Sequence, residues 1–262
     1  MFLLYWFEQF GRIIIYLLED IGGTTVLFAK SIYFAFRKPF KPGRIIAQMV
    51  SIGVDSVPVV ILTAVFTGMV LALQATYQIA KFGAETYIGG IVGISMTREL
   101  GPVLTALMVS GRVGAAIAAE IGTMKVTEQI DALETLATNP VQYLVMPRVL
   151  AAAVMLPLLT CVADFVGMAG GYAISTTTLG INAAVYMEKT RQLVQVSDLL
   201  IGLLKTVVFG LIIATVGCNQ GFKTTGGAEG VGKATTVSVV TSCILILLSD
   251  VFLTGLFVGG NY

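Results

Sequence analysis

The sequence has few of the residues from which soluble proteins build charged surfaces and metal sites. It contains no histidine, one tryptophan and only 12% charged residues, whereas soluble domains are about one-quarter charged. Its three cysteines, Cys161, Cys218 and Cys243, lie in or beside apolar runs. We therefore expect packing roles for them, with neither a disulfide nor a metal site.

Apolar residues are what the sequence has in excess. They make up 56% of the 262 residues, and the mean hydropathy is +0.90. They are concentrated in long runs, which indicates an all-α membrane protein that crosses the bilayer several times. No soluble domain is recognisable, so we expect a single domain over residues 1–262. We also expect no catalytic machinery, no cofactor and no nucleic-acid partner.

Residues 1–43 differ from the rest because charges interrupt their apolar runs. No run in residues 1–36 reaches the ~20 residues that a membrane span needs. Apolar residues recur at helical spacing, at Phe2, Trp6, Phe10, Ile13 and Leu17. This pattern predicts one or two amphipathic helices lying on the membrane surface, followed by a basic hinge. The alternative is a degenerate first span.

The core, residues 44–262, contains five long apolar segments. We predict spans over residues 52–79, 88–119, 149–174, 199–217 and 237–258. Residues 176–196 would form an external loop and the Gly-rich residues 219–235 a cytoplasmic loop. Lysine and arginine favour the side that holds the hinge, which places the N-terminus in the cytoplasm and the C-terminus outside.

The second apolar segment leads into an acidic amphipathic stretch, residues 124–138. The segment itself has about 32 residues, or ~48 Å of helix, which exceeds the ~30 Å hydrocarbon core, so its end should project into the cytoplasm. In the acidic stretch Ile130 and Leu133 share one face, and Glu128, Asp131 and Glu134 crowd the others. We expect one helix, continuous with the span, that docks into a groove on a partner protein. The alternative is an ordinary loop helix resting on the bilayer.

Charged residues occur within the predicted spans, and five of them are singled out here: Arg98, Glu99, Asp164, Lys205 and Asp250. A charge left alone in lipid is costly, so each needs a partner or a wet cavity. Helix rise places all five in the outer half of the membrane. We predict that Lys205 pairs with Asp250 or Asp164, and that Arg98 and Glu99 border a polar cavity that contacts substrate. The alternative is ion pairs that only hold helices together.

The outer end of the first span carries a mixed apolar and amide stripe. Leu71, Gln74, Gln78 and Phe82 lie on one helical face, with Ile79 adjacent. Such a stripe suits a lipid, with acyl chains against the apolar residues and a headgroup near the amides. The alternative is that these residues face bulk lipid or pack within the protein.

Residues 227–233 read G-x-x-x-x-G-K, which is close to a phosphate-binding loop. Ala234 follows in place of the Mg²⁺-binding hydroxyl, and a span, not a strand, precedes the motif. We therefore expect a flexible cytoplasmic loop there and no nucleotide site.

Three motifs resemble the permeases of the MlaE family. They are GMVLALQ at residues 68–74, RELGPVLTAL at residues 98–107, and GRVGAAIAAEIGTMKVTEQIDAL at residues 111–133. The family's members are membrane subunits of the Mla ABC transporter, which moves phospholipid between the inner and outer membranes of Gram-negative bacteria. The resemblance runs from about residue 44 to the C-terminus.

The resemblance implies a homodimer in the bacterial inner membrane, with phospholipid held between protomers beside the first span. It implies two copies of a cytoplasmic MlaF-like ATPase, which would carry the ATP and Mg²⁺. A STAS-domain protein (MlaB-like) would sit on the ATPase, and a hexameric MCE-domain protein (MlaD-like) would sit outside. Residues 124–138 would be the coupling helix and Gly101-Pro102 a hinge. The competing functions are an ion-coupled carrier or channel that uses the buried charges, and a passive membrane anchor.

Overall fold

The computed structural model describes residue 19, residues 21–34 and residues 42–259. The described residues are almost entirely helical and include no β-strand, so the predicted all-α fold is confirmed. Most of the predicted interfacial segment 1–43 lies outside the described residues. Residues 21–34 form a helix, here called α1.

Ten further helices follow α1. They are α2 (Pro42–Ile52), α3 (Val57–Ile79), α4 (Ile88–Ser95), α5 (Gly101–Val109), α6 (Ala115–Val126), α7 (Gln129–Thr135), α8 (Met146–Thr177), α9 (Ala183–Leu193), α10 (Val196–Phe222) and α11 (Gly227–Gly259). Three π-helical turns join them in places: Met96–Leu100, Ser110–Gly114 and Val141–Val145.

Five helical stretches among the described residues are long and apolar enough to cross a membrane, which confirms the predicted number of spans. They are Pro42–Ile79, Glu85–Val126, Val141–Thr177, Val196–Phe222 and Gly227–Phe257. Each is longer than the sequence predicted, because polar residues at the ends of the apolar runs continue the helices.

The predicted Gly-rich loop over residues 219–235 is wrong. Helix α10 runs to Phe222 and α11 begins at Gly227, so only a short turn separates them. Gly226 and Gly227 have φ of +85° and +70° and make this turn in a conformation that other residues rarely adopt. The G-x-x-x-x-G-K stretch therefore forms the first two turns of a helix, and the expectation of a flexible loop there is also wrong.

Helices α7 and α9 mark the two ends of the bundle, called here the α7 end and the α9 end. The polar residues 176–196 include α9 and are not simply a loop. The Asn182 side chain starts α9 by accepting from the Ala184 N–H at 2.9 Å. Tyr186 of α9 is buried against α4, next to Gly89, and burial raises the pKa of its hydroxyl to about 12.

Helix α8 occupies the middle of the bundle, with α3 on one side and α10 on the other. Glycines let these helices approach until backbones touch. A Cβ added to Gly68 of α3 would lie 1.9 Å from the Gly167 carbonyl oxygen of α8, and one on Gly210 of α10 would lie 2.6 Å from the Ala152 carbonyl oxygen. Such small-residue contacts provide the packing on which helix association in lipid depends.

Gly68→Ala is expected to destabilise the protein, because the new methyl group would overlap the α8 backbone, which cannot move aside as a side chain can. Overpacking of this kind costs about 1–3 kcal/mol. The matched control is Gly255→Ala in α11, where a Cβ meets nothing within 4 Å and alanine favours the helix by ~1 kcal/mol. Thermal unfolding in detergent measures both, and equal melting temperatures for the two variants would contradict the packing.

Candidate functional site

The Lys205 ammonium lies at the centre of a buried polar cluster in the half of the bundle nearer α9. Its Nζ lies 2.7 Å from Glu99 Oε2 and 3.0 Å from Asp250 Oδ1, and it donates to Thr254 Oγ1 at 2.7 Å. Lys205 is only 1% exposed. Of the two partners that the sequence allowed, Lys205 takes Asp250. Its second acidic partner, Glu99, was not predicted.

A break in the helix before α5 exposes a backbone acceptor to the same lysine. The Gly101 N–H bonds back five residues to the Met96 carbonyl, as in a π-helix. Pro102 then has no N–H to give to the Arg98 carbonyl, its partner in a regular α-helix. That carbonyl accepts from Lys205 Nζ at 3.2 Å instead. The sequence RELGP carried this signal, since proline four residues after Arg98 must free one carbonyl.

The Arg98 side chain points away from Lys205 towards the start of α10. Its Nε lies 2.8 Å from Asp198 Oδ1, and Asp198 Oδ2 accepts from the Gln195 N–H at 3.0 Å. A cavity of about 30 Å³ separates the two ion pairs, which is room for about two water molecules. Arg98 and Glu99 therefore do border a polar cavity, but it is far smaller than a lipid headgroup. The sequence analysis missed Asp198 because it lies outside the predicted spans.

Asp164 does not join the cluster, in contrast to the expectation that it might pair with Lys205. It is buried on α8, and its Oδ1 has no hydrogen-bond partner among the described residues. This oxygen packs against the Gly101 backbone, so closely that a Cβ there would lie 1.8 Å away. Asp164 therefore faces α5 at the predicted Gly101-Pro102 hinge, whereas Lys205 faces Glu99 and α11.

An open groove of about 330 Å³ runs along α3 beside the polar cluster. It is lined by Leu71 and Gln74, two of the five stripe residues, and by Leu100, which follows Glu99 in the chain. Gln78 and Ile79 lie nearer the α9 end, and Phe82 is 85% exposed beyond them. The groove also includes Phe66, Thr67 and Val70. The sequence analysis missed these three, although Phe66, Val70 and Gln74 recur at four-residue spacing.

The acidic stretch 124–138 is not one helix continuous with the span, so that prediction is wrong. Helix α6 ends at Val126, and Glu128 has φ of +60°, a left-handed conformation that redirects the chain before α7. Glu128, Asp131 and Glu134 are exposed, and Lys125 Nζ lies 2.9 Å from Asp131 Oδ1.

The apolar residues of α7 face in two directions. Ile130 is 4% exposed, and both Ile130 and Leu133 pack into this chain's own core, so they hold α7 in place and are not presented to a partner. Leu136, which the sequence analysis did not single out, is 74% exposed just after α7. The outward surface of α7 therefore combines three carboxylates with one large apolar side chain.

The two helical arms that carry α7 are tied together. Together with α7, helix α6 and the π turn Val141–Val145 form a hairpin, the term used for this unit below. Arg148 Nη2, at the start of α8, lies 2.8 Å from Glu120 Oε1 of α6, and Arg148 Nη1 donates to the Leu144 carbonyl at 2.7 Å. The Arg148 side chain is 3% exposed and that of Glu120 is 57% exposed, so the pair joins the two arms at the edge of the core.

A helical bundle with five spans among the described residues, an ionic cluster around Lys205 and an acidic hairpin at one end defines the class of polytopic α-helical membrane proteins. No group of three or more metal-ligating side chains occurs among the described residues. The family model described as permease MlaE matches residues 45–256. The chain belongs to this permease family.

Individual relatives agree with the family. A probable ABC transporter permease of Rickettsia conorii is 47% identical over 250 residues, covering 91% of this chain and 96% of that protein. One of Synechocystis is 49% identical over 214 residues, covering 82% and 81%. The chloroplastic protein TRIGALACTOSYLDIACYLGLYCEROL 1 of Arabidopsis thaliana is 39% identical over 213 residues, covering 81% and 61%. The chain is therefore a permease subunit of an ABC transporter, a class that works with a separate ATPase.

Lys205→Met is expected to destabilise the protein, because it leaves Asp250, 17% exposed, and Glu99, 40% exposed, beside each other without a cation. Removing one partner of a fully buried pair costs about 3–5 kcal/mol, and the partial exposure of the two acids should lower that cost. The triple variant with Glu99→Gln and Asp250→Asn also removes the two acids and should recover most of that loss. Thermal unfolding in nanodiscs measures both variants. A triple variant no more stable than Lys205→Met would contradict a role for charge balance in the cluster.

Proposed function

We propose that this permease binds phospholipid and moves it between the inner and outer membranes of a bacterium, as a homodimer powered by two copies of a separate MlaF-like ATPase. The ATPase binds the ATP and Mg²⁺, and this chain holds no cofactor of its own. The observation that carries the proposal is the groove along α3, in which apolar walls lead to polar groups.

The chemistry of the groove suits a lipid. Phe66, Val70 and Leu71 give it an apolar wall, which matches acyl chains. The Gln74 amide lies towards the outer end and can donate to a phosphate or ester oxygen. The groove opens on the surface of a single protomer, so a second copy would be needed to enclose a lipid. By family resemblance, that second copy is the other protomer of a homodimer.

The name of the Arabidopsis relative includes a glycerolipid, trigalactosyldiacylglycerol. That relative shares 39% identity with 81% of this chain, a stretch long enough to include most of the bundle. A glycerolipid cargo for the relative supports a glycerolipid cargo here. The polar cluster fits poorly with an ion channel or ion-coupled carrier, because Lys205 is saturated by four partners and the adjacent cavity has only about 30 Å³.

Charge asymmetry supports an inner-membrane orientation with the α7 end in the cytoplasm. The described cations at or near that end are Lys30, Arg44, Arg112, Lys125, Arg148, Lys223 and Lys233, against Lys81, Lys189 and Arg191 at the α9 end. α1 lies at the α7 end, where Asn219 Nδ2 donates to Thr24 Oγ1 at 3.0 Å, in keeping with a cytoplasmic N-terminus. Helix α11 ends at the other side, in keeping with a periplasmic C-terminus.

The outward surface of α7 is the proposed docking site for the ATPase. It combines the exposed carboxylates of Glu128, Asp131 and Glu134 with the exposed Leu136, a pattern suited to a basic groove with an apolar floor. Ile130 and Leu133 support this surface from inside. By family resemblance, a STAS-domain protein (MlaB-like) binds the ATPase, and a hexameric MCE-domain protein (MlaD-like) covers the α9 end.

Val70→Trp is expected to block lipid transfer, because Val70 is 59% exposed in the groove and an indole would fill much of its volume. We expect transfer to fall about tenfold or more, equivalent to ~1.4 kcal/mol, without loss of the ATPase complex. Lipid transfer between reconstituted vesicles measures this. The matched control is Leu248→Trp, an exposed position on α11 away from the groove. Equal transfer by both variants would exclude the groove as the lipid path.

Leu136→Asp and Glu134→Lys are expected to weaken ATPase binding. Leu136→Asp would bury a charge against the apolar floor of the ATPase groove, and Glu134→Lys would repel the basic residues of that groove. The control is Glu188→Lys, the same charge change on α9 at the opposite end. Co-purification with the ATPase gives the measurement, and the control should bind as the parent does. Loss of binding with Glu188→Lys alone would reverse the proposed orientation. Lipid transfer by the parent without any ATPase would instead favour the ion-coupled carrier or channel.

A further inference from the structure

We propose that Arg112 is a positioning residue that passes motion of the hairpin to α3, and so to the lipid groove, by holding the junction between α2 and α3. This inference rests on the proposed function, since it assumes that an ATPase moves the hairpin. Arg112 would carry that movement to α3, which is not part of the hairpin.

Arg112 reaches from the span that carries α6 to the end of α2. Its Nε and Nη2 donate to Ser56 Oγ at 2.9 and 2.7 Å. Nη2 also donates to the Ile52 carbonyl at 3.3 Å and to the Ser51 carbonyl. A planar guanidinium can hold several acceptors in one fixed geometry, which a lysine cannot. No ion pair of Arg112 occurs within the part of the chain that the structure describes, so its contacts are with this junction.

The junction offers these acceptors because α2 stops there. The helix ends at Ile52, and the chain turns through Val54–Ser56 before α3 begins at Val57. The last carbonyls of a helix lack partners within it and attract cations. Gly53 lets the turn press on α8, since a Cβ there would lie 1.9 Å from Met155 Cε. The junction is therefore a defined structure that Arg112 completes, not a loose loop.

Few other contacts join the hairpin to α2 and α3. Helix α6 packs mainly on α10 and α11, whereas α2 and α3 pack mainly on α8. Arg112 lies in the π turn Ser110–Gly114 directly before α6, so it moves with α6. Its hydrogen bonds cross from one packing group to the other, which makes it a direct mechanical link between them.

The other end of α2 is tied to the hairpin as well. The Arg44 guanidinium lies 3.1 Å from the centroid of the Tyr143 ring, and Tyr143 belongs to the π turn after α7. Such a cation–π contact is strongest when it is sheltered from water. Because Arg148 and Glu120 join the two arms of the hairpin, both ends of α2 follow one unit. Displacement of the hairpin then carries α2, and with it the start of α3.

The test separates movement of the hairpin from movement of α3. Spin labels are placed at Thr123→Cys on α6 or Gln78→Cys at the far end of α3, in a background free of the three native cysteines. Distances between the two protomers are measured in the full complex with its ATPase, without nucleotide and with ATP trapped. We expect both distances to change in the parent. In Arg112→Met the change at residue 123 should remain and the change at residue 78 should disappear.

The same variant should uncouple transport from hydrolysis. ATPase activity of the complex should persist, and lipid transferred per ATP should fall about 3- to 30-fold, the range of coupling changes produced by mutations between sites. Arg112→Lys, which keeps the charge but not the fork, should fall between Arg112→Met and the parent. Lys233→Met removes an exposed cation from the same end of the bundle and should change nothing.

Each outcome decides the proposal. If Arg112→Met keeps both distance changes and the parent's yield of lipid per ATP, the inference is overturned while the proposed function stands. If that variant does not assemble, Ser56→Ala replaces it. It removes the hydroxyl that accepts from Arg112 Nε and Nη2 and donates to the Ile52 carbonyl at 2.7 Å, and it leaves Arg112 only backbone carbonyls as partners. If Ser56→Ala loses the distance change at residue 78 and keeps that at residue 123, the inference is supported. If Ser56→Ala has no effect, the inference is overturned. A parent complex that neither changes distance nor transfers lipid overturns the proposed function and the inference together.

Discussion

The absence of water inside the bilayer is the constraint on which the rest of this structure depends. A carbonyl or charge without a partner costs several kcal/mol there, roughly as in any apolar medium. Proline at residue 102 would leave the Arg98 carbonyl without its helical donor, yet Lys205 takes that donor's place while it neutralises Glu99 and Asp250. The buried Lys205 ammonium thus donates to the free backbone carbonyl and neutralises two carboxylates at once. It also joins the second, fourth and fifth spans.

The same constraint explains why glycine, not large side chains, sets the distance between helices. Lipid is as apolar as leucine, so burying more leucine between spans yields little. Close approach gains dispersion contacts and weak C–H···O contacts instead. Gly68 against the Gly167 carbonyl and Gly202 against the Thr97 carbonyl are examples. The second contact shares a helix with the Lys205 cluster, so tight packing and charge pairing reinforce each other at the π turn Met96–Leu100.

The fold followed from the sequence because hydropathy and length determine membrane helices almost independently of context. The number of spans, the pairing of Lys205 with one of two aspartates and the polar cavity beside Arg98 and Glu99 were predictable from depth along the helices. Three features were not. Glycine weakens the helices of soluble proteins, so residues 219–235 were predicted to form a loop. A bilayer instead favours helix there. The turn at Glu128 has a left-handed backbone conformation, and the sequence has no glycine there to indicate it. Asp164 failed to pair because rotation about α8, unlike depth, is set by packing.

The turn at Glu128 changes how force must travel through this permease. A straight helix from an ATPase to the groove along α3 would act as a rod, and no side chain would be needed to transmit motion. Here α7 follows a break in the helix, and its apolar residues pack into the chain's own core. The groove lies on a different helix, α3. Motion must therefore cross between helices, and in a bundle packed mostly by small apolar residues the polar ties of arginine are the contacts most able to carry it. Three arginines near the α7 end make such ties: Arg148 joins the arms of the hairpin, while Arg44 and Arg112 hold the two ends of α2. Their positions divide the half of the molecule at the α7 end into units that each behave as one body, and the ionic cluster of Lys205 joins three spans in the half nearer α9.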